Sequence, residues 1–385
     1  MRRDVCSACG RPDLTSFYRA DTLPTQTCVL LDGEEEARRY PTGDLELAVC
    51  AACGLIQNVL FDPSLVDYSK PTEESQAFSP KFQAFASSLA ERLVAEHDLK
   101  GGAVVEIGCG KGDFMMLLAE CGIGRGLGID PGYLPNRPEV ADADIEFRRD
   151  WYGPESVGLA ADLVLTRHLM EHVPNVGEFL GWLAESTRGT EGAVLFTEVP
   201  DVRRVLDEGA FWDVYYEHCS YFTRGSLARA IAATGLRPTD VWLDFDDQYI
   251  LSEAVVGSGE PWALDDVGET VAAAKQFGSR TSQVIQSWRD EISSRIDGGL
   301  EVAVWGGGSK AVAFLTTIGI DGVSVVDINP HKQGKWLPTV GVEVQSPRAL
   351  ETIRPDLVIP MNTIYVEEIR RDLEDMGLDP TISPL

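Results

Sequence analysis

The sequence predicts a mixed α/β protein of three parts: a small N-terminal module, a central domain with a mostly parallel sheet, and a second α/β domain. Apolar strands alternate with helical stretches from about residue 103 to 256 and again from residue 302, which predicts the two sheets. Two Cys-x-x-Cys pairs near the N-terminus predict the separate module.

The order of these patterns gives the expected bounds of the parts. We expect the module over residues 1–75, the central domain over 76–260 and the C-terminal domain over 261–385. Apolar residues at helical spacing predict a helix from 79 to 99, and a second helical stretch from about 265 to 296 joins the α/β domains. A chain of 385 residues is longer than one core usually supports.

Charge limits the possible partners. Acidic residues outnumber basic ones 61 to 33, giving a net charge of −28, which opposes binding to nucleic acid and to anionic membranes. The expected partner is a small molecule, and a monomer is favoured although the sequence does not determine the oligomeric state. Because no signal peptide or long apolar run is present, a cytoplasmic location is expected, with the eight cysteines as thiols or metal ligands.

The paired cysteines predict a structural zinc site. Cys6 and Cys9 form one pair and Cys50 and Cys53 the other, each followed at once by a glycine that eases a tight turn. Four thiolates close a tetrahedral coordination sphere and leave no position for water or substrate, so the expected role is in folding. Four unconnected thiols are the alternative.

A glycine-rich turn predicts the first ligand site. Glu106 lies near the end of a predicted strand, and Gly108, Gly110 and Gly112 separate that strand from a helix. Without side chains there, the backbone can approach a nucleoside, while the Glu106 carboxylate could pair with a cationic amino group. Dinucleotide enzymes use similar turns, so the glycines alone leave the ligand open.

Polar residues after the next strands extend this site. Asp130 ends the following strand, where its carboxylate could accept both hydroxyls of a ribose. Asp150 and Trp151 follow a third strand-like piece, residues 145–147, and offer an acceptor and a ring for adenine.

The run Glu-Ile-Gly-Cys-Gly-Lys-Gly at 106–112, the strand-end Asp130 and residues 161–172 resemble the class I S-adenosylmethionine methyltransferases. The resemblance implies a central Rossmann-like sheet, S-adenosylmethionine as cofactor, and donor contacts from Arg167 and His168. For His172, packing or helix capping is the more economical interpretation.

Residues 211–222 concentrate possible proton carriers. The segment reads Phe-Trp-Asp-Val-Tyr-Tyr-Glu-His-Cys-Ser-Tyr-Phe, and its histidine, glutamate and tyrosines suit a base that forms a carbanion and a group that stabilises oxygen charge. Aromatic packing under the sheet, with Glu217 and His218 merely solvated, is the alternative.

This segment resembles the active-site signature of the sugar C-methyltransferases of antibiotic deoxysugar pathways, which share an N-terminal zinc module and a C-terminal Rossmann-like domain. The resemblance implies a nucleotide-linked 4-keto-deoxysugar as acceptor and functional roles for Tyr215, Glu217 and His218. His218 would remove the proton alpha to the ketone, and Tyr215 with Glu217 would orient or stabilise the keto oxygen. Tyr216 is expected to contact substrate.

The C-terminal domain carries a second glycine-rich turn. A strand enters Gly-Gly-Gly-Ser-Lys-Ala at 306–311, and Asp327 ends the next strand, which together match a dinucleotide fingerprint. NAD is disfavoured because nothing downstream offers a hydride-transfer site. The resemblance instead implies that the turn holds the substrate nucleotide, with these candidate contacts: Gly307, Gly308, Ser309, Lys310, Asp327, Asn329 and Lys332. For Lys332, a solvated surface lysine is an equal alternative.

Two departures from the sugar enzymes leave the acceptor open. Residues 67–79 lack their tyrosine and paired-serine pattern, and Cys219 stands where a larger aliphatic residue is usual. The acceptor could therefore be another natural-product intermediate, methylated on carbon, oxygen or nitrogen. A non-catalytic zinc-ribbon interaction protein and an NAD-linked enzyme are the remaining hypotheses.

Overall fold

The computed structural model describes residues 2–70, 72–134 and 143–385. In this part of the chain the strands are β1 (Leu14–Pro24), β2 (Thr42–Cys50), β3 (Ile56–Asn58), β4 (Ala103–Ile107), β5 (Arg125–Ile129), β6 (Asp144–Arg148), β7 (Leu163–Arg167), β8 (Val194–Pro200), β9 (Ser220–Tyr221), β10 (Arg237–Asp244), β11 (Tyr249–Val255), β12 (Val302–Trp305), β13 (Val323–Val326), β14 (Val344–Gln345), β15 (Leu357–Pro360) and β16 (Thr381–Ile382). The α-helices are α1 (Glu34–Arg38), α2 (Pro80–Glu96), α3 (Asp113–Glu120), α4 (Val176–Arg188), α5 (Val202–Glu208), α6 (Arg224–Ala232), α7 (Val267–Asp297), α8 (Ser309–Ile318), α9 (Leu350–Ile353) and α10 (Val366–Asp375).

The central sheet confirms the expected α/β pattern. Its seven strands run in the order β10-β11-β8-β7-β4-β5-β6, with β8 to β6 parallel and the β10–β11 hairpin antiparallel at one edge. Four of the five residues of β4 are buried without alternation, as expected where helices cover both faces of a sheet. The carboxyl ends of β4, β5 and β7 meet at the edge where such sheets bind ligands.

The C-terminal sheet is wholly parallel, with five strands in the order β14-β13-β12-β15-β16. Its central strand β12 leads through the second glycine-rich turn into α8. The long helix α7 joins this domain to the central one, close to the expected residues 265–296. The predicted helix before the central sheet is also confirmed as α2, whose N-terminus is capped by the Ser79 hydroxyl.

The N-terminal sheet includes one strand from outside residues 1–75. Its order is β1-β2-β3-β9, and β9 begins two residues after His218. Buried side chains of this sheet, of α7 and of the C-terminal domain form one hydrophobic cluster, which includes Leu45, Phe277 and Phe314. A sheet this small cannot bury its apolar face alone, and the shared cluster provides the missing cover.

Among the described residues, every helix is too short or too polar to cross a lipid bilayer.

Candidate active site

The four paired cysteines converge as predicted. The sulfur atoms of Cys6 and Cys53 are 3.6 Å apart, as are those of Cys9 and Cys50. All four sulfur atoms lie within 4.8 Å of one another. The glycines that follow the pairs have φ angles of 72° and 77°, in the region that a glycine enters without strain. This compact set of thiols fits a tetrahedral zinc ion.

The first glycine-rich turn is shaped for a close backbone approach. Gly108, Gly110 and Gly112 have φ angles of 74°, 53° and 80°. A Cβ atom at Gly112 would lie 2.5 Å from the Phe147 ring, so a side chain has no room there. The carboxylate of Asp130 accepts a 3.0 Å hydrogen bond from the Gly110 N–H, which braces the turn from the end of β5.

Glu106 presents a buried carboxylate to this turn. The residue is 3% exposed, and its Oε2 has no hydrogen-bond partner among the described residues. Burial raises the pKa of Glu106 to about 8, although the nearby Arg167 opposes the shift. An unpaired buried carboxylate oxygen costs free energy, and a cationic group bound beside it would remove that cost. The turn therefore fits the cationic amino end of S-adenosylmethionine.

Arg167 and His168 are already paired with protein carboxylates. Arg167 donates two hydrogen bonds to Glu198, of 2.8 and 3.0 Å, and His168 Nε2 lies 2.8 Å from the same carboxylate. Burial opposes both ionised forms, but these contacts hold the pKa of Glu198 down to about 2 and, with Glu171, raise the pKa of His168 to about 9. Both predicted donor contacts thus belong to a buried ion cluster after β7.

Asp150 and Trp151 lie on a surface loop. The Asp150 carboxylate accepts a 2.8 Å hydrogen bond from the Trp151 N–H. Trp151 is 62% exposed, and its ring centroid is 6.2 Å from that of Tyr68. An exposed ring in this position is free to stack on a flat ligand.

His218 is half-buried in a cluster of rings. Its ring centroid is 4.6 Å from that of Tyr215 and 4.7 Å from that of His172. Burial lowers the pKa of His218 well below the ordinary value, and the neighbouring His172 adds to the effect. The Tyr215 hydroxyl donates to Asp213 at 3.0 Å, while the Tyr68 hydroxyl lies 3.1 Å from Nδ1 of His172.

Glu217 connects this cluster to the C-terminal domain. Its carboxylate accepts hydrogen bonds from the N–H, at 3.0 Å, and the hydroxyl of Thr27. The Thr27 hydroxyl is also 2.8 Å from that of Ser309, at the start of α8. Burial raises the pKa of Glu217. The predicted catalytic segment and the second glycine-rich turn therefore meet through one threonine.

The side chain of Tyr216 points away from those of Tyr215 and His218, which corrects its predicted role as a substrate contact. The side chain is 1% exposed and packs against Phe61, with ring centroids 5.6 Å apart. Its hydroxyl accepts a hydrogen bond from the Asp62 N–H at 3.0 Å. The chain bends at Tyr216 and Glu217, and Tyr216 fills the N-terminal core while its neighbours line the cluster.

The second glycine-rich turn is braced like the first but carries a cation. The Gly307 N–H donates to Asp327 at 2.7 Å, and the Asn329 N–H donates to the other carboxylate oxygen at 2.7 Å. Lys332 Nζ lies 3.5 Å from Asp327 and 3.3 Å from where a Cβ of Gly308 would be.

The side chain of Lys332 is only 13% exposed, which corrects its interpretation as a solvated surface lysine. Burial opposes its charge, but Asp327, Cys28 and Glu73 together outweigh burial and raise the pKa of Lys332. A cavity beside the turn is lined by Gly307, Lys332 and Trp336, among others. This pocket thus offers a cation, a turn backbone and a flat ring.

Lys310 points to the cluster of rings around His218 instead of the mouth of its own turn. Its Nζ lies 3.3 Å from Asp213, the acceptor of the Tyr215 hydroxyl, and 3.4 Å from the Gln248 side chain. Burial lowers the pKa of Lys310, against the pull of Asp213.

Glu73 bridges the two glycine-rich turns. One carboxylate oxygen accepts a hydrogen bond from Lys111 in the first turn, and the other accepts one of 2.9 Å from Asn329 after the second. Glu73 is 4% exposed, and although burial opposes it, these two donors hold its pKa below the ordinary value. Both turns therefore open towards one region, which residues 72–79 cross.

Sequence reasoning missed several residues of this arrangement. The following carry no spacing pattern that marks them: Thr27, Tyr68, Glu73, Glu198, Asp213 and Trp336. His172 was interpreted as packing, yet it contacts both Tyr68 and His218. Its place four residues after His168, at the carboxyl end of β7, is the signal that could have identified it.

Two domain models match the chain. A methyltransferase domain matches residues 79–241, and the C-terminal domain of C-methyltransferases matches residues 266–379. The C-methyltransferase NovU of Streptomyces niveus is 26% identical over 392 residues, which cover 95% of this chain and 91% of that protein.

Solved structures match the chain only in part. The magnesium protoporphyrin IX methyltransferase of Synechocystis PCC 6803 is 17% identical and covers 46% of this chain and 83% of its own, with a TM-score of 0.34. The 1,6-didemethyltoxoflavin-N1-methyltransferase of Burkholderia thailandensis is 15% identical and covers 47% of this chain and 84% of its own, also with a TM-score of 0.34.

Proposed function

Because the chain is an S-adenosylmethionine-dependent methyltransferase, we propose that it methylates the carbon next to the ketone of a nucleotide-linked 4-keto-deoxysugar. The likeness to a C-methyltransferase along nearly the whole chain supports transfer to carbon. The observation that carries the proposal is the position of His218 against the rings of Tyr215 and His172, together with its lowered pKa.

His218 is suited to act as a general base. The lowered pKa of His218 favours the neutral imidazole, whose ring nitrogen has a lone pair that can accept a proton. Contacts with the rings of Tyr215 and His172 hold the imidazole in place. A proton on a carbon alpha to a ketone is the kind of acid that such a base can remove when the ketone oxygen is stabilised.

The proposed reaction moves a methyl group from sulfur to carbon. S-adenosylmethionine supplies a methyl group bonded to a positively charged sulfur. His218 takes the alpha proton, the C–H electron pair forms an enolate, and the enolate carbon bonds to the methyl carbon as the sulfur–methyl bond breaks. The imidazolium of His218 later returns its proton to solvent. Glu217 is the better donor to the keto oxygen when protonated, because the Tyr215 hydroxyl already donates its hydrogen bond to Asp213.

The second glycine-rich turn would hold the nucleotide. The first N–H groups of α8 have no partners within the helix and are available to an anion, and Lys332 adds a positive charge. Trp336 lines the adjoining cavity and offers a ring on which a base can stack. These features favour a diphosphate-linked acceptor despite the net charge of −28.

A zinc ion held by the N-terminal thiols completes the proposal. The ion would tie Cys6 and Cys9, in the chain before β1, to the turn between β2 and β3. Its expected role is folding, since four thiolates leave no open coordination position. Metal analysis of the purified protein should find one zinc per chain, and Cys50→Ser should lose it; a full complement of zinc in that variant would refute the assignment.

Solvent exchange tests the proposed chemistry. The protein is incubated in deuterium oxide with the keto sugar nucleotide and S-adenosylhomocysteine, which occupies the donor site without a methyl group. Mass spectrometry should find deuterium at the alpha carbon above the enzyme-free rate, and His218→Gln should abolish the excess. The matched control His331→Gln changes a histidine beside Phe78, and exchange should persist. Methylation of oxygen or nitrogen without exchange would contradict the proposal.

A further inference from the structure

A cavity of about 130 Å³ lies behind the catalytic segment. It is lined by Arg3, Gln57, Asn58, Phe61, Pro63, Pro174, Asn175 and Cys219. Among these described lining residues, Arg3 alone carries a charge, although the chain has a net charge of −28. A cavity with one cation, three amides and no carboxylate in its lining is suited to an anion.

Asn58 brings an unused donor to this cavity. The residue is 3% exposed, and its Oδ1 accepts hydrogen bonds from the N–H groups of Glu46 and Leu60, both at 3.1 Å. Its Nδ2 has no partner among the described residues. A buried amide donor without an acceptor is destabilising, and an acceptor in the cavity would remove that cost.

Arg3 also has donors to spare. Its guanidinium donates to the backbone oxygen of Pro174 and, at 2.9 Å, to the side-chain oxygen of Asn175. Both acceptors are uncharged, so the charge of Arg3 is not neutralised by them. A guanidinium carries five N–H donors in a planar fork that matches the oxygens of phosphate or carboxylate.

We infer that this cavity binds a compact oxyanion, such as inorganic phosphate or a small carboxylate, between Arg3 and Asn58. Cys219 and Pro174, which line the cavity, place the bound anion close to the chain around His218 and His172. The Asn58 N–H donates to the backbone oxygen of Cys219 at 3.0 Å, and Cys219 directly follows His218. The Cys219 sulfur lies 3.6 Å from the backbone oxygen of Glu171, which directly precedes His172.

Anion binding to the folded protein tests the inference. Calorimetric titrations with phosphate, acetate and chloride are made on Lys332→Met, so that the second glycine-rich turn does not contribute. Phosphate or acetate should bind at one saturable site, and whichever binds more tightly identifies the class of oxyanion. Histidine NMR spectra should show that two of the five imidazoles shift on binding.

Asn58→Asp, made in the Lys332→Met protein, tests the proposed site most directly. Aspartate keeps the Oδ1 acceptor and replaces the unused donor with a charged oxygen, so anion affinity should fall about tenfold or more. Arg3→Met should have a similar effect. Arg2→Met, which changes an arginine bound to Glu46 and Ser16, should leave the affinity unchanged. If no anion binds at a saturable site, or if folded Asn58→Asp binds the anion with unchanged affinity, the inference is wrong and the cavity holds only water.

Discussion

The two glycine-rich turns share one backbone design but differ in charge. Each follows a buried strand, precedes a helix and is braced by an aspartate from the next strand, Asp130 in the first and Asp327 in the second. The first turn adds the unpaired carboxylate of Glu106, whereas the second adds the ammonium of Lys332. The same loop can thus serve a cationic cofactor in one domain and an anionic nucleotide in the other, because side chains around it set the local field.

The turns also differ in how tightly their backbone is constrained. All three glycines of the first turn have positive φ, whereas in the second only Gly306 does, at 115°. The first turn therefore depends more strictly on glycine.

The largest expected effect is on folding, from Gly112→Val. Its φ of 80° and a Cβ position 2.5 Å from Phe147 combine backbone strain with a clash, for a loss of about 3 kcal/mol in the free energy of unfolding. Gly101→Ala, at a φ of 72° in open space, isolates the strain and should cost about 1 kcal/mol. Urea denaturation measures both, and equal losses would contradict the predicted clash.

The next effect is on the affinity for a nucleoside diphosphate. Lys332→Met removes the cation of the second turn, so the dissociation constant should rise about tenfold or more while that of S-adenosylhomocysteine is unchanged. The matched control is Lys275→Met, since Lys275 is an exposed lysine on α7, away from the second turn, and should matter little. If calorimetry finds that both variants weaken nucleotide binding equally, the cation of the second turn has no special role.

A smaller effect is expected on the coupling between the turns. Because Glu73 accepts hydrogen bonds from Lys111 and Asn329, binding at one turn should favour binding at the other by about fivefold. Glu73→Gln removes the charge that holds Lys111, and the coupling should fall towards one. The comparison is Glu91→Gln on the exposed face of α2, where coupling should persist. Titration of each ligand with and without the other measures the coupling between the two turns.

The smallest effect is on pH dependence, and it belongs to the first turn alone. Burial raises the pKa of Glu106 to about 8, so below that pH the folded protein holds a proton that the unfolded chain has lost above its ordinary value. The raised pKa of Glu106 therefore lowers the free energy of unfolding as pH rises from about 4.5 to 8. A cation beside Glu106 favours its ionised form, so S-adenosylhomocysteine should bind more tightly as pH rises towards 8 and then level off. In Glu106→Gln the increase of affinity with pH should disappear. If the affinity of this variant still increases with pH, another group is responsible for the pH dependence.

Strand and turn positions were predictable because they depend on local patterns. The strands that lead into both turns, the helices α2 and α7, and the four cysteines follow from apolar spacing and paired residues.

Long-range packing was not predictable from those patterns. The N-terminal sheet takes β9 from residues after His218, and Tyr216 turns into its core, because burial of that sheet decides both. Lys332 was an equal candidate for the surface, since only the fold brings Asp327 close enough to keep its charge buried.

The central claim is that a donor and a nucleotide bind at two different turns of one chain. Calorimetric titration of S-adenosylhomocysteine, alone and with saturating nucleoside diphosphate, tests it most directly. The account predicts one site for each ligand, simultaneous binding, and selective loss of the nucleotide in Lys332→Met. Mutual exclusion of the two ligands, or loss of S-adenosylhomocysteine binding in that variant, would contradict it.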